Sequence, residues 1–510
     1  MRFILTLSAT GSGGLLPFHR QSSRCSSRLP VGSSSLDYLA STCHCGSSKM
    51  IGQVADGFLA LANPGTFLHL VGGFLLGLAF GAIPGLTATL AIALLLPFTF
   101  GMEVKDALVM VASIYMAGIY AGSITGITLN IPGAPSGAIT TLDGHALMKA
   151  GKGTQALGLS AFSSSIGGLV GVVVLIALAQ PISALALLFQ TPDKFSLVLL
   201  AVVTVTIVAS GSLLKAMLAM AIGLMISTVG IDPMVPVGRF DFGSYHLIEG
   251  INLLPAVIGL FATCELIAQA SMPTKVGEPE AVAKILRPKR RDFLPNWTLI
   301  REVGFFTYIK SAIIGVLIGM LPGGGASMAS FIAYAEAKRS SRHPEKFGKG
   351  SYEGLAASES ANNGMCGGAI IPLLTMGIPG DAVTAIIFGV LLIHGLVPGP
   401  ALLGENFAII APMFAALFVA AIFVFLSVMH RPDLLTSVAD KSRSTLRIIG
   451  MISMVGVYAS SSPFPNVDGP RNWRISLSAP HLFLPCCAST NGGNPRPLPG
   501  RILAPITYRI

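Results

Sequence analysis

Residues 77–85 read Gly77-Leu-Ala-Phe-Gly81-Ala-Ile-Pro84-Gly85, and residues 315–323 read Gly315-Val-Leu-Ile-Gly319-Met-Leu-Pro322-Gly323. Both follow G-x-x-x-G-x-x-P-G. A second pair comes in the same order, Asn130-Ile-Pro132-Gly133 being echoed by Gly377-Ile-Pro379-Gly380. The step from Pro84 to Pro322 nearly equals that from Pro132 to Pro379. A lone G-x-x-x-G signals only close helix packing. Two motifs repeated in one order at nearly one offset signal an internal duplication. Each interrupts an apolar run. Proline lacks an N–H and glycine permits unusual dihedrals, so Pro-Gly at membrane depth breaks a helix.

The composition says what surrounds those runs. The chain has 510 residues, 52% hydrophobic and 11% charged, where a soluble domain carries about 25% charged residues. So few charges cannot cover a water-facing surface of this size, and lipid must be the solvent for most of the chain. The net charge of +10 does not indicate nucleic acid, because residues 1–49 and 463–510 each contribute +4 and leave +2 for the apolar body. Five of the seven cysteines also lie in those flanks (Cys25, Cys43, Cys45, Cys486 and Cys487). Neither a disulfide framework nor a metal site is expected, Cys43-His44-Cys45 being a weak metal signal.

The expected fold is all-α, a polytopic membrane protein of two related, inverted repeats with broken or re-entrant helices at the Pro-Gly motifs. Apolar runs cover 66–83, 86–100, 107–129, 156–179, 196–210, 216–230, 253–270, 305–321, 367–378, 382–397, 407–429 and 448–460. Several reach the roughly 20 residues that span a bilayer and others are nearer 15, giving about 9 to 12 membrane segments. The expected divisions are an N-terminal extension (1–49, disordered), membrane repeat 1 (50–270), a basic cytoplasmic linker (271–304), membrane repeat 2 (305–462, truncated) and a Pro/Arg-rich tail (463–510). The extension reads as a poor signal peptide, a transit-like segment, or non-native sequence ahead of a start at Met50. The tail reads as a disordered cytoplasmic tail or a frame disruption.

Charge gives the orientation. Basic clusters at 284–291, 338–349 and 431–447 belong on the cytoplasmic side. Between the first two, residues 305–337 carry Pro322-Gly-Gly-Gly325, where two half-length helices would enter and leave on one face. The break after the first Pro-Gly motif is net acidic (Glu103, Lys105, Asp106), whereas its counterpart from Lys338 to Lys349 is strongly basic. After the first Ile-Pro-Gly come Lys149 and Lys152, but 397–405 holds no base. Opposite flank charge implies opposite sides, hence an inverted repeat of the kind that places a transport site at the midplane.

Freed N–H groups and the positive ends of half-helices favour an anion, and freed carbonyls at opposing ends hold Na+. The expected anion site therefore comprises Gly81, Pro84, Gly85, Asn130, Pro132, Gly133 and Ser136 from the first half, and Gly319, Pro322, Gly323, Asn362, Asn363, Pro379 and Gly380 from the second. Candidate ion-coupling residues are Thr140, Asp143, Glu359, Ser360, Asp381 and Thr384, since ionisable groups within a membrane are costly and functional by default. Against this stand plainer readings: packing kinks at the breaks, and surface helix caps at Asp143 and Asp381. His145 and His394 read as structural. No H-E-x-x-H, G-x-S-x-G or metal-spaced histidine set is present, so no catalytic residue or metal is expected. An ion or solute channel and a membrane-embedded enzyme remain the alternatives.

These residues resemble the tripartite tricarboxylate transporter family, specifically its large, TctA-type membrane subunit. The likeness rests on Gly81-Ala-Ile-Pro-Gly85, Asn130-Ile-Pro-Gly-Ala-Pro-Ser136 and Asp143-Gly144. In the second half it rests on Phe347-Gly-Lys-Gly350, Glu353-Gly354, Glu359-Ser-Ala-Asn-Asn363, Gly377-Ile-Pro-Gly380 and His394-Gly-Leu-Val-Pro-Gly-Pro400. It covers about 50–460. It implies a bacterial inner-membrane symporter for tricarboxylates or related carboxylates, driven by Na+ or H+ and needing no other cofactor. It also implies two partners, a small membrane subunit and a periplasmic substrate-binding protein. Residues 1–49 have no family counterpart, and the family's last membrane segments are missing after Ser460.

Overall fold

Local sequence chemistry places the helix ends. Asn63 caps the helix α2 (Pro64–Ala82), its side chain accepting the Gly65 N–H with Pro64 at the first position. Thr87 caps α3 (Ala88–Thr99) through the Leu90 N–H, and Ser351 caps the long helix Tyr352–Met376 through Gly354. Such side chains satisfy N–H groups that a helix start leaves without partners. At the other end, α4 (Val104–Leu129) stops at Asn130 in the left-handed conformation, φ 57°. The helix Tyr352–Met376 stops at Gly377, φ 73°. Glycine and asparagine enter that region at least cost.

The computed structural model describes residues 52–83, 86–130, 132–188, 190–208, 213–231, 237–243, 247–248, 250–251, 293, 295, 297–404 and 406–430. The terminal flanks, most of the basic linker, the apolar runs 253–270 and 448–460, and Pro84 and Gly85 lie outside them. After a short helix α1 (52–61) and α2 to α4 come α5 (Gly137–Lys149), α6 (Gly153–Leu188), α7 (Thr191–Val208) and α8 (Leu213–Ser227). A two-residue antiparallel pairing of β1 (Gly230–Ile231) with β2 (Gly238–Arg239) follows. The second region holds α9 (Trp297–Val303), α10 (Phe305–Gly319), α11 (Gly325–Ser340), α12 (Tyr352–Met376), α13 (Ala382–Ile393), α14 (Pro400–Gly404) and α15 (Phe407–His430).

Four described helices are long and apolar enough to cross a membrane: α2, α4, α6 and α15. The pair α9–α10, bent by 59°, makes a fifth if it is one span. The protein is a multi-pass membrane protein, mostly helical among its described residues. On α7 and α8, Phe195, Leu200, Leu214, Leu218 and Met225 are exposed, as lipid-facing side chains should be.

The helix α12 departs from the sequence reading, which began its apolar run at Gly367. The helix starts at Tyr352, and every residue from Gly354 to Thr375 is buried. Its first half, Gly354-Leu-Ala-Ala-Ser-Glu-Ser-Ala-Asn-Asn363, is too polar to register as a membrane run. It never meets lipid, because α4, α6, α10 and α11 surround it. A helix shielded by protein can carry polar groups that a lipid-facing one cannot.

Glycines set how closely these helices approach. On α2, a side chain at Gly73 or Gly77 would meet the carbonyl oxygen of Met110 or Ile114 at 2.5 Å, and one at Gly81 would strike that of Gly118. On α10, Gly315 lies against the Ala361 carbonyl of α12, and a side chain at Gly319 would meet that of Met365 at 2.5 Å. Gly133 abuts the Gly81 carbonyl just as Gly380 abuts that of Gly319. The contacts correspond between the two G-x-x-x-G motifs. Gly77 meets Ile114 and Gly81 meets Gly118 in the first region, as Gly315 meets Ala361 and Gly319 meets Met365 in the second. Aligning the two Ile-Pro-Gly motifs without a gap puts Ile114 on Ala361 and Gly118 on Met365.

Candidate functional site

Glu359 sits on the face of α12 that meets the first region. Positions 359, 362, 363 and 366 share that face at helical spacing. Asn362 donates to the Ile119 carbonyl at 3.3 Å and Asn363 to that of Met116 at 3.1 Å, both on α4. One turn away, Glu359 is fully buried. Its Oε1 accepts the hydroxyls of Ser123 on α4 at 2.6 Å and Thr140 on α5 at 2.5 Å. Its Oε2 accepts that of Ser164 on α6 at 2.8 Å. Three helices thus send one hydroxyl each to a carboxylate carried by a fourth. Among the described residues no cationic side chain lies within ion-pair distance of it.

Other buried polar atoms lie along the same helices and have no hydrogen-bond partner among the described residues. They are Tyr120 Oη, Thr125 Oγ1, Ser136 Oγ, Ser160 Oγ, Asn362 Oδ1 and Asn363 Oδ1. A buried polar group left unpaired costs roughly 1–3 kcal/mol. Several near one carboxylate make the interior suited to a small ion or a polar ligand.

The two Ile-Pro-Gly turns meet the first region's α4 at different heights. Gly133 donates its N–H to the Gly122 carbonyl at 3.0 Å. Beyond the second turn, Asp381 caps α13 in a reciprocal capping box with Thr384, and its Oδ2 accepts the Tyr115 hydroxyl at 3.0 Å. Between Tyr115 and Gly122, α4 rises by about 10 Å.

The expected site residues divide accordingly. Gly81 meets Gly133, while Gly319 meets Gly380, which accepts the Gly323 N–H at 2.9 Å. The N–H groups of Gly133 and Gly323 therefore already donate to carbonyls. Thr140 joins Glu359, and Thr384 joins Asp381. Ser360 turns from the first region's α4 and donates to the Ser163 carbonyl of α6 at 3.0 Å. Ser136, Asn362 and Asn363 are buried, Pro322 and Pro379 are half-buried, and Asn130 and Pro132 are exposed. Asp143 binds neither turn but holds the segment ahead of α12. His145 faces the Ile127 carbonyl at 3.1 Å, in keeping with a structural role, whereas His394 Nε2 is buried without a partner among the described residues.

The sequence reading missed Ser123, Ser164 and Tyr115. The triplet Ser163-Ser164-Ser165 inside an apolar run was a legible signal. Single hydroxyls on α4 were not, because Ser and Thr often bond their own helix carbonyl, as Ser113 and Thr128 do.

Comparison with known proteins bears on the whole arrangement. The model of the tripartite tricarboxylate transporter TctA family matches residues 67–467. An uncharacterized 52.8 kDa protein from the TAR-I ttuC′ 3′ region of Agrobacterium vitis is 36% identical over 372 residues, 72% of each chain. A second protein, from the TAR-II ttuC′ 3′ region of that organism, is 49% identical over 86 residues, covering 17% of this chain and 36% of its own. No solved structure matches. With its family's model running through both Pro-Gly motifs, both Ile-Pro-Gly turns and Glu359, the chain belongs to the tripartite tricarboxylate transporter TctA family.

Proposed function

We propose that this chain is the substrate-translocating subunit of a secondary transporter that carries a tricarboxylate or related small organic anion across the bacterial inner membrane. It works by symport with Na+ or H+, beside a small membrane subunit and a periplasmic substrate-binding protein. The observation that carries this reading is the Glu359 clamp. A carboxylate enclosed by helices and given only hydroxyl donors is expensive when ionised, by several kcal/mol before compensation. A proton or Na+ removes that cost, and hydroxyl and amide oxygens suit a hard cation stripped of water. Loading the cation also lowers the barrier to an incoming anion. Coupling then follows from electrostatics.

Support for alternating access comes from the duplicated pattern. Corresponding glycine contacts in the two regions, helices that stop at Asn130 and Gly377 in one conformation, and opposite flank charges all fit two inverted units. The turn at 132–136 meets α4 at Gly122, beside the Ser123 that binds Glu359, and Asp381 meets α4 at Tyr115; an anion would lie between them.

The test is citrate transport by the full chain in proteoliposomes, with its small membrane subunit and binding protein. Wild type accumulates label under an inward Na+ or H+ gradient and shows counterflow without one. Glu359→Gln should cut gradient-driven accumulation by at least about tenfold, equivalent to about 1.4 kcal/mol, with insertion unchanged. Full accumulation by that variant would remove Glu359 from coupling. Conductance without counterflow would indicate a channel, and chemical conversion of the label an enzyme.

A further inference from the structure

One buried carboxylate is left without a part in the clamp. Asp143 lies just under one turn beyond Thr140 on α5 and is fully buried. Its Oδ1 accepts the backbone N–H groups of Gly348, Gly350 and Ser351, each at 2.8 Å. Its Oδ2 accepts the Tyr334 hydroxyl of α11 at 2.8 Å. Gly348 and Gly350 have φ of 80° and 107°, backbone that only glycine adopts readily, so Gly348-Lys-Gly350 can wrap its N–H groups round one oxygen. Gly354 leaves the space, since a side chain there would meet Asp143 Oδ2 at 2.5 Å and the Tyr334 ring at 2.7 Å.

A carboxylate oxygen has about two acceptor positions; three N–H donors crowd Oδ1 and one hydroxyl sits on Oδ2. An ion carrier must take up and release its ligand. The Oδ1 of Asp143 has no free acceptor position unless the 348–351 segment lets go. That segment opens α12, the helix that carries Glu359, and Thr140 on α5 is one of the three Glu359 hydroxyls. The helices α5 and α12 are therefore joined twice in opposite senses: Asp143 of α5 grips the start of α12, and Glu359 of α12 accepts from α5.

We propose that Asp143 is a positioning residue that docks α5 on the start of α12 and so sets Thr140 on Glu359. This deepens the proposed function and rests on Glu359 as the coupling site. Loosening α5 would leave Ser123 and Ser164 in place, on α4 and α6, but withdraw Thr140.

The experiment compares Asp143→Asn with Asp143→Ala in the full chain. Asparagine keeps the shape and an acceptor oxygen for the N–H groups, whereas alanine removes all four bonds. Asn should keep coupled uptake within about threefold, with the ion dependence unchanged. Ala should raise the half-saturating Na+ or H+ concentration about tenfold, and adding Thr140→Ala should add little, because both losses act through one contact. Loss of coupled uptake in Asp143→Asn comparable to that of Glu359→Gln would make Asp143 a carrier and overturn the proposal. So would an unchanged ion dependence in Asp143→Ala.

A readout independent of transport is maleimide labelling of Leu147→Cys, with the native cysteines replaced by serine. Leu147 is buried on α5 against Gly350. Asp143→Ala should speed labelling about tenfold, since undocking exposes what burial protected, and Asp143→Asn should leave it unchanged. Equal labelling in all three overturns docking, even if no carboxylate proves to be transported. Should Asp143→Ala not reach the membrane, Tyr334→Phe withdraws one donor and must shift both readouts the same way; no shift in either overturns the proposal.

Discussion

The region 64–149 and the region 305–393 share a backbone plan but differ in what their side chains do. Each has a glycine-rowed helix against a long central one, and each long helix stops at a left-handed residue before Ile-Pro-Gly and a shorter helix. Their polar chemistry diverges at corresponding positions. With the two Ile-Pro-Gly motifs superposed, Glu359 falls on Ala112, Asn362 on Tyr115, Asn363 on Met116 and Asp381 on Ala134. Three interior carboxylates draw donors from outside their own region: Glu359 from Ser123, Thr140 and Ser164, Asp381 in part from Tyr115, and Asp143 from Tyr334 and the 348–351 segment. Close helix packing needs only a glycine at the right spacing and can be duplicated. A buried charge needs donors from several directions, and these arise only where the two regions interlock.

The largest effects should come from breaking the shared backbone plan. Gly81→Leu and Gly319→Leu each force a side chain into the backbone of the neighbouring helix, costing about 3 kcal/mol or more. Neither should yield folded protein in the membrane by gel filtration in detergent. The Ala variants should be milder and alike, within about 1 kcal/mol of each other by thermal unfolding. If Gly319→Ala were harmless while Gly81→Ala prevented folding, the equivalence of the two contacts would fail.

An intermediate effect tests the clamp. A hydrogen bond to a charged group contributes about 1.5–3 kcal/mol. Ser123→Ala, Thr140→Ala and Ser164→Ala should therefore each weaken the dependence of uptake on the coupling ion by about tenfold or more. Ser113→Ala, whose hydroxyl bonds only its own helix, should leave ion dependence alone. A Ser113 effect equal to the others would mean that these hydroxyls act through packing.

The smallest effect concerns the helix stops. Asn130 is exposed and left-handed, so Asn130→Gly should change stability and uptake little. Asn130→Leu should cost about 1–2 kcal/mol from backbone strain. Loss of uptake in the glycine variant, with folding intact, would show that the asparagine amide itself touches the substrate. Gly377→Asn should be tolerated equally well if the two stops are interchangeable.

Much of the fold was readable because its signals are local. Asn130 and Gly377 before Ile-Pro-Gly act on the backbone within a few residues; the caps at Asn63 and Thr87 are as local but went unread. The start of α12 was not readable, because a hydropathy window cannot tell that Ser358, Glu359 and Asn362 face protein. At the site, Thr140, Glu359, Asp381 and Thr384 were singled out one by one, but not their pairing, nor the hydroxyls of Ser123, Ser164 and Tyr115. Asp143 was marked as an ion candidate from its residue type alone.

The sequence by itself determined the membrane setting and carries the repeated motifs, since these depend on composition and on the order of single residues. The tertiary structure decided which carboxylate meets only hydroxyls and which is bound up in backbone N–H groups. Glu359 and Asp143 are both buried acids on helices. What separates them is the number and kind of donors brought from distant parts of the chain, and no spacing along one chain records that.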